Sequence, residues 1–155
     1  MENNYSSIPE TRAHVNLVRH YLLGAIQEIE FRSYEHDKSK MEQPELETFD
    51  RVTPKLQELT YGSQEYKQSL DEMQVALKHH YIVNRHHPEH FENGILGMNL
   101  IDILEMFCDW LAATKRHTDG DIIKSIEINA ERFCYDAVLK ALMKNTAEFF
   151  DKRGA

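Results

Sequence analysis

The segment NLIDILEMFCDWLAAT, residues 99–114, decides the fold. It is apolar along almost its whole length and interrupted by three carboxylates, Asp102, Glu105 and Asp109. Offsets of three and seven residues place these carboxylates on one face of an α-helix. A carboxylate in such apolar surroundings is costly without a partner. The segment therefore predicts a helix whose acidic face either binds metal or pairs with histidine or arginine.

Hydrophobic residues recur at helical spacing on both sides of this segment, and no segment has the pattern of a strand. The predicted helices begin near Thr11 and cover about 44–58, 64–84, 99–114, 121–133 and 136–150. Gly24 is expected to bend or divide the first helix, and Pro54 to kink the second. Residues 61–63 predict a turn. The sequence predicts one all-α domain of about six or seven helices over residues 1–155, with loose ends at about 1–9 and 151–155.

Composition narrows the class of protein. A chain of 155 residues matches one domain of about 150 residues. No apolar run approaches the roughly 18 residues of a membrane span, and the net charge of −8 argues against binding nucleic-acid backbones. The N-terminus MENNYSSIPE lacks the features of a signal peptide, which predicts a cytoplasmic protein. Cys108 and Cys134 fall in helical patterns and are predicted to be buried, reduced thiols.

Five of the nine histidines lie in the segment HHYIVNRHHPEH, residues 79–90. His80 continues the apolar stripe of the preceding helix and is predicted to face the core. His86, His87 and His90 are predicted to lie in a loop, because Pro88 disfavours helix at the residue before it. Two interpretations are open for these loop histidines, the rim of an active site or a solvated loop.

Two further histidines could bind metal. The adjacent imidazole and carboxylate of His36-Asp37 suit Mn, Fe, Co, Ni or Zn, although such a pair also occurs on surfaces by chance. His14 shares a helical face with apolar residues and is predicted to point inward, as a core residue or as a ligand. His20 is predicted to lie on the surface.

Together these residues resemble a known family. The order His14, His36-Asp37, a middle group of histidines and then Asp109 looks like the H…HD…H…D pattern of HD-domain metal-dependent phosphohydrolases. More closely, the chain is similar to a family of short HD-like proteins of bacteria and phages. The matching motifs are TRAH (11–14), HDKSK (36–40) with the following Pro44-Glu45, YGSQEYK (61–67), HHYIVNRHHPEHF (79–91), MNLIDILEMFCDWLAATKRH (98–117) and DGDIIKSIEIN (119–129). Unlike most HD enzymes, the chain has polar residues before the dipeptide and Lys38 after it.

The resemblance implies an HD-like fold, one or two divalent ions and a role for each matched residue. The implied metal ligands are His14, His36, Asp37 and Asp109, with His80, and one of His79, His86 or His87, as further ligands for a second ion. Asp102, Glu105 and His79 would orient the ligands. Lys40, Lys115 and Arg116 would bind phosphate, each being otherwise a solvated charge. Arg85, His86, His87 and His90 would be catalytic, and His87 or His90 would protonate the leaving oxygen.

The predicted function is a metal-dependent phosphohydrolase that attacks a phosphate ester, such as a nucleotide or related metabolite, with a metal-activated water. The cofactor would be Mn, Fe, Co, Ni, Zn or Mg, and the partner a small phosphorylated substrate rather than a membrane. The alternatives are an HD-type di-iron oxygenase and a non-catalytic metal- or nucleotide-binding protein. Near the C-terminus, Asp119 or Asp121 would cap a helix. The last helix, with Val138, Leu139, Leu142 and Phe149, would be core or the face of a homo-oligomer.

Overall fold

The computed structural model describes residues 5–59, 64–116 and 120–154, and all regular structure in these ranges is helical. The helices are α1 (Ile8–Glu35), α2 (Leu46–Glu58), α3 (Gln64–Glu72), α4 (Gln74–Val83), α5 (Leu100–Thr114), α6 (Ile122–Phe133) and α7 (Ala137–Arg153). Short 3-10 helices cover Lys38–Met41, Pro88–His90 and Gly94–Gly97. The predicted all-α fold is confirmed. None of the described helices combines the length and the apolar composition that a membrane span requires.

The chain divides into two compact units, Met1–His36 and Asp37–Ala155. The described part of the first unit is essentially α1. This helix continues without a break through Gly24, so the predicted division there is wrong. His14 is exposed, contrary to the predicted inward orientation, and α1 buries none of its residues. The reason is that a lone helix has no second element within its own unit against which to bury a face.

The core of the second unit is built by α5, α6 and α7. Its buried members are Met106, Phe107, Ile126, Met143 and Ala147. Trp110 packs against this cluster and stacks on Phe133, with ring centroids 6.1 Å apart. The predicted core positions of Phe107 and Trp110 are confirmed. Helix α7 supplies core residues from one face, whereas Val138, Leu142 and Phe149 on it are exposed.

Side chains fix where the last helices begin. Asn99 Oδ1 accepts hydrogen bonds from the main-chain N–H groups of Ile101 (2.8 Å) and Asp102 (3.0 Å), and Asp102 accepts one from the N–H of Asn99 (2.9 Å). This reciprocal capping box satisfies N–H groups that the helix leaves unpaired. Asp121 caps α6 as predicted, by accepting from the N–H groups of Ile123 and Lys124. Capping thus follows from residues close in sequence.

Several boundaries differ from the prediction. The helix predicted over 64–84 is divided at Met73, whose backbone lies in the bridge region at φ −91° and ψ −4°. Helix α7 continues to Arg153, three residues beyond its predicted end. Cys108 and Cys134 are exposed rather than buried. Cys134 lies outside the predicted helical pattern, because α6 ends at Phe133 and Cys134 follows it with a left-handed backbone. The predicted turn at 61–63, the candidate cap Asp119 and the side chains of Tyr66 and Leu70 lie outside the residues that the structure describes.

Candidate metal centre

Helix α4 and the loop after it bring three histidines together in the second unit. His80 lies in the last turn of α4 and is 1% exposed, which confirms its predicted inward position. The helix ends because Asn84 adopts an extended backbone (φ −109°, ψ 110°). The chain then turns so that His86 is also 1% exposed, and His87 is partly buried. His86 is therefore an interior residue, which argues against the solvated loop that was one of its two predicted interpretations.

Asp37 provides a carboxylate beside these histidines. Its backbone is left-handed (φ 58°), a conformation that aspartate tolerates better than most residues. Its Oδ2 accepts a hydrogen bond from Lys40 Nζ at 2.6 Å. Its Oδ1 lies 3.2 Å from His80 Nε2 and 3.4 Å from His86 Nε2. One oxygen of Asp37 thus faces the lysine, and the other faces the histidines.

The donor atoms of Asp37, His80, His86 and His87 form one group, all within 4.8 Å of one another. His80 Nε2 and His87 Nε2 are only 2.9 Å apart. Metal–ligand bonds of about 2.0–2.2 Å place neighbouring ligand atoms about 2.9–3.5 Å apart in octahedral or tetrahedral sites. Three of the separations in this group, 2.9, 3.2 and 3.4 Å, fall in that range. The spacing of these atoms is therefore compatible with binding one divalent ion.

The protonation states of the group suit metal binding. Burial lowers the pKa of His87 to about 3, helped by the neighbouring His86 and His80 and opposed by Asp109 and Asp37. The imidazole of His87 is therefore neutral near pH 7, the form that binds metals. Burial acts to raise the pKa of Asp37, but His80, His86 and Lys40 lower it far more, so its carboxyl is ionised.

Two carboxylates lie behind the histidines. Glu45 is completely buried, and its Oε2 lies 2.9 Å from His80 Nδ1 while its Oε1 lies 2.7 Å from His79 Nδ1. Glu105 Oε1 lies 3.2 Å from His86 Nδ1. His80 and His86 therefore each direct Nε2 toward the group of ligand atoms and Nδ1 toward a glutamate. Metal-binding histidines usually have a carboxylate at the second ring nitrogen in this way.

Other predicted site residues have different partners. The guanidinium of Arg85 donates from Nη2 to Asp102 Oδ2 at 3.0 Å and from Nε to Oδ1 at 3.2 Å. Asp102 thus joins Arg85 to the start of α5. Its predicted role in orienting the metal ligands stays a prediction. His90 Nδ1 donates to the main-chain carbonyl of Tyr81 at 3.0 Å, and Lys115 is exposed at the end of α5.

The remaining assignments stay predictions. Arg116 is exposed, and Asp109 is partly buried on α5. His14 and His36 belong to the first unit, Met1–His36. The resemblance implied no role for Glu45 or Ser39, because nothing in the local sequence marks either residue as buried beside a histidine 35 or 41 positions further along the chain.

These features define a class: an all-helical protein in which histidines and carboxylates form a group able to hold a metal ion. The chain belongs to the family described as "Family of unknown function (DUF5662)", whose model matches residues 3–152. This match provides no link to HD domains, so that relationship stays a prediction. No curated protein and no solved structure matches the chain.

Proposed function

We propose that this protein is a metal-dependent phosphohydrolase in which Asp37, His80, His86 and His87 hold a divalent ion. The observation that carries the proposal is the convergence of these four donor atoms, within 4.8 Å of one another, from three separate segments. Two of the histidines are 1% exposed. Burying so many titratable groups side by side is costly in a protein interior unless something satisfies them together.

The donor set favours particular metals. Three imidazoles and one carboxylate suit Mn, Fe, Co, Ni or Zn, whereas Mg and Ca prefer sites made of oxygen ligands. Because imidazoles bind metals in their neutral form, a divalent ion held by one carboxylate and three imidazoles would have a net charge of +1. A site of this charge favours an anionic substrate, and four protein ligands leave an octahedral ion two positions for substrate and water.

The chemistry of phosphate-ester hydrolysis fits these residues. A bound divalent ion would lower the pKa of a water molecule toward neutrality and offset negative charge on the phosphoryl oxygens. Lys40 lies beside the proposed metal site, because its Nζ is 2.6 Å from Asp37 Oδ2. Its side chain is 32% exposed, so it is accessible to a substrate. It can therefore contact a phosphoryl oxygen beside Asp37. The resemblance of His36-Asp37 to the HD dipeptide supports the same reaction class.

The test is metal analysis of the purified protein, followed by a phosphatase screen over nucleotides and sugar phosphates with Mn, Co, Ni, Zn and Mg. We expect one tightly bound transition metal per chain at this site, and phosphate release that a chelator abolishes. Metal without turnover of any phosphate ester would instead indicate a metal-binding protein. Two irons with oxygen consumption would indicate an oxygenase. A protein that binds no metal would overturn the proposal.

A further inference from the structure

Glu45 and His80 form a buried pair directly behind the metal centre. Glu45 is 0% exposed and His80 is 1% exposed. Glu45 lies just before α2, whereas His80 lies in α4, so the pair joins two helices of the second unit. A carboxylate with no access to water needs hydrogen-bond donors. A group that contacts Glu45 at hydrogen-bond distance must therefore carry the hydrogen that the contact requires.

Three groups lie close to Glu45. Ser39 Oγ donates to Glu45 Oε2 at 3.0 Å, His80 Nδ1 lies 2.9 Å from the same oxygen, and His79 Nδ1 lies 2.7 Å from Oε1. A carboxylate oxygen accepts hydrogen bonds. Nδ1 of His80 then carries a proton, because only an N–H makes this contact favourable. Nε2 of His80 faces Asp37 Oδ1 at 3.2 Å and His87 Nε2 at 2.9 Å, and it must give up any proton of its own when it binds a metal ion.

Asn84 is the other candidate partner for His80 Nδ1, since its Nδ2 lies 2.9 Å from that nitrogen. The same amide nitrogen also lies 2.8 Å from Ser39 Oγ and 2.9 Å from the main-chain oxygen of His80. An amide has two hydrogens, and these two oxygens account for both. Ser39 Oγ also lies 3.1 Å from Nδ1 of His80, but its single hydrogen is donated to Glu45 Oε2. With the hydrogens of Asn84 and Ser39 accounted for in this way, Glu45 Oε2 is the acceptor for an N–H at Nδ1 of His80.

We infer that Glu45 is a positioning residue, which holds the proton of His80 on Nδ1 so that the lone pair of Nε2 faces the metal centre. The inference rests on the proposed metal site. Its physical basis is general: a neutral imidazole has one N–H and one lone pair, and a carboxylate that fixes the N–H also fixes the lone pair and the ring orientation. In this way a residue that does not touch the metal controls one of its ligands.

The test compares Glu45→Gln with wild-type protein in Co²⁺ titrations followed by calorimetry and by the visible spectrum. Glutamine keeps the shape of glutamate but offers Nδ1 an amide that can also donate, so the proton of His80 is free to move to Nε2. We expect about 10–100-fold weaker binding with unchanged stoichiometry. The matched control is Glu127→Gln, which removes one negative charge from the surface of α6, and it should bind Co²⁺ like wild type.

Two further measurements separate positioning from a general structural effect. Long-range ¹⁵N–¹H spectra of the metal-free wild-type protein should show His80 protonated at Nδ1, and Glu45→Gln should shift protonation toward Nε2. In the His80→Ala background, Glu45→Gln should weaken Co²⁺ binding no further. Unchanged affinity in Glu45→Gln, or a wild-type His80 that carries no proton at Nδ1, would overturn the role of Glu45 and leave the metal site standing. A wild-type protein that does not bind Co²⁺ would overturn both proposals.

Discussion

At the scale of single residues, Asp37 and His87 carry the clearest consequences of the metal site. Asp37→Asn keeps the size of the side chain but removes its charge, and His87→Ala removes one donor from a partly buried position. Each change should weaken binding of Mn or Co at least about tenfold. His20→Ala, on exposed α1, should bind metal like wild type.

The measurement is metal content after dialysis, beside thermal melts that show each variant to be folded. His86→Ala is a poorer test, because His86 is 1% exposed and its removal leaves a cavity as well as a missing ligand. Metal content that falls in His20→Ala but not in Asp37→Asn would contradict this assignment.

Tyr135 gives a prediction about pH. Its hydroxyl donates to the main-chain oxygen of Ile126 at 2.6 Å, and burial, followed by the nearby charge of Glu127, raises the pKa of Tyr135 to about 12. The unfolded value is about 10. A pKa raised by folding favours the native state fully below pH 10, and this contribution is lost as the pH rises through about 12.

Tyr135→Phe should therefore lower the free energy of unfolding by about 0.5–1.5 kcal/mol near neutral pH. It should also make the protein lose less stability than wild type between pH 9 and 11. Urea unfolding curves at several pH values test this. Because both proteins keep Tyr81, whose pKa is also raised, the difference between the curves isolates Tyr135. An equal loss of stability with rising pH in the two proteins would show that the Tyr135 hydroxyl is not involved.

At the scale of elements, α5 depends on the cap at its N-terminus. Asn99 Oδ1 accepts from two main-chain N–H groups of the first turn. Asn99→Ala removes this acceptor and should lower the free energy of unfolding by about 1 kcal/mol. Asn99→Asp keeps an acceptor at the cap and should stay within about 0.5 kcal/mol of wild type. Chemical denaturation followed by circular dichroism makes the comparison, and equal losses in both variants would rule out the capping explanation.

The carboxylates on one face of α5 have different partners. Asp102 pairs with Arg85 and the start of α5, whereas Glu105 contacts His86. The sequence offers metal binding or pairing with histidine or arginine for this row, and both kinds of pairing occur on the one helix face. Spacing along the helix predicts the shared face, but only the neighbouring loop determines which partner each carboxylate meets.

At the scale of the whole molecule, the proposed metal site predicts that metal binding is linked to folding. The ligand atoms come from the start of the second unit, from α4 and from the loop after it, and an unfolded chain does not hold them together. Free metal at 100 times its Kd should therefore stabilise the protein by about 2.7 kcal/mol. For a unit of this size the Tm should rise by about 5–15 °C.

Thermal melts with and without Co or Mn test this, with the double variant Asp37→Asn/His87→Ala as the control. That variant should show little metal-dependent change in Tm. An equal rise in both proteins would point to binding elsewhere on this acidic chain, whose net charge is −8.

The sequence by itself determined the all-α fold and the inward position of His80, and it limited the cap of α6 to Asp119 or Asp121, of which Asp121 caps the helix. These features depend on helical periodicity and on residues within one turn of each other, which a single chain displays directly. The same reasoning predicted that His14 points inward. This prediction is wrong, because α1 alone makes up the described part of its unit and His14 is exposed on it. Periodicity identifies an apolar face, but it does not supply the element that covers it.

Only the tertiary structure decided which residues surround the candidate metal centre. Glu45 and His80 are 35 positions apart, and Ser39 and Asn84 are 45 apart, so their contacts exist only once α2, α4 and the segment before them have packed. The burial of His86 and the pairing of Arg85 with Asp102 arise in the same way. The types of residue that bind metal are visible in the sequence, whereas the carboxylates that orient them depend on contacts between distant segments, which no local pattern encodes.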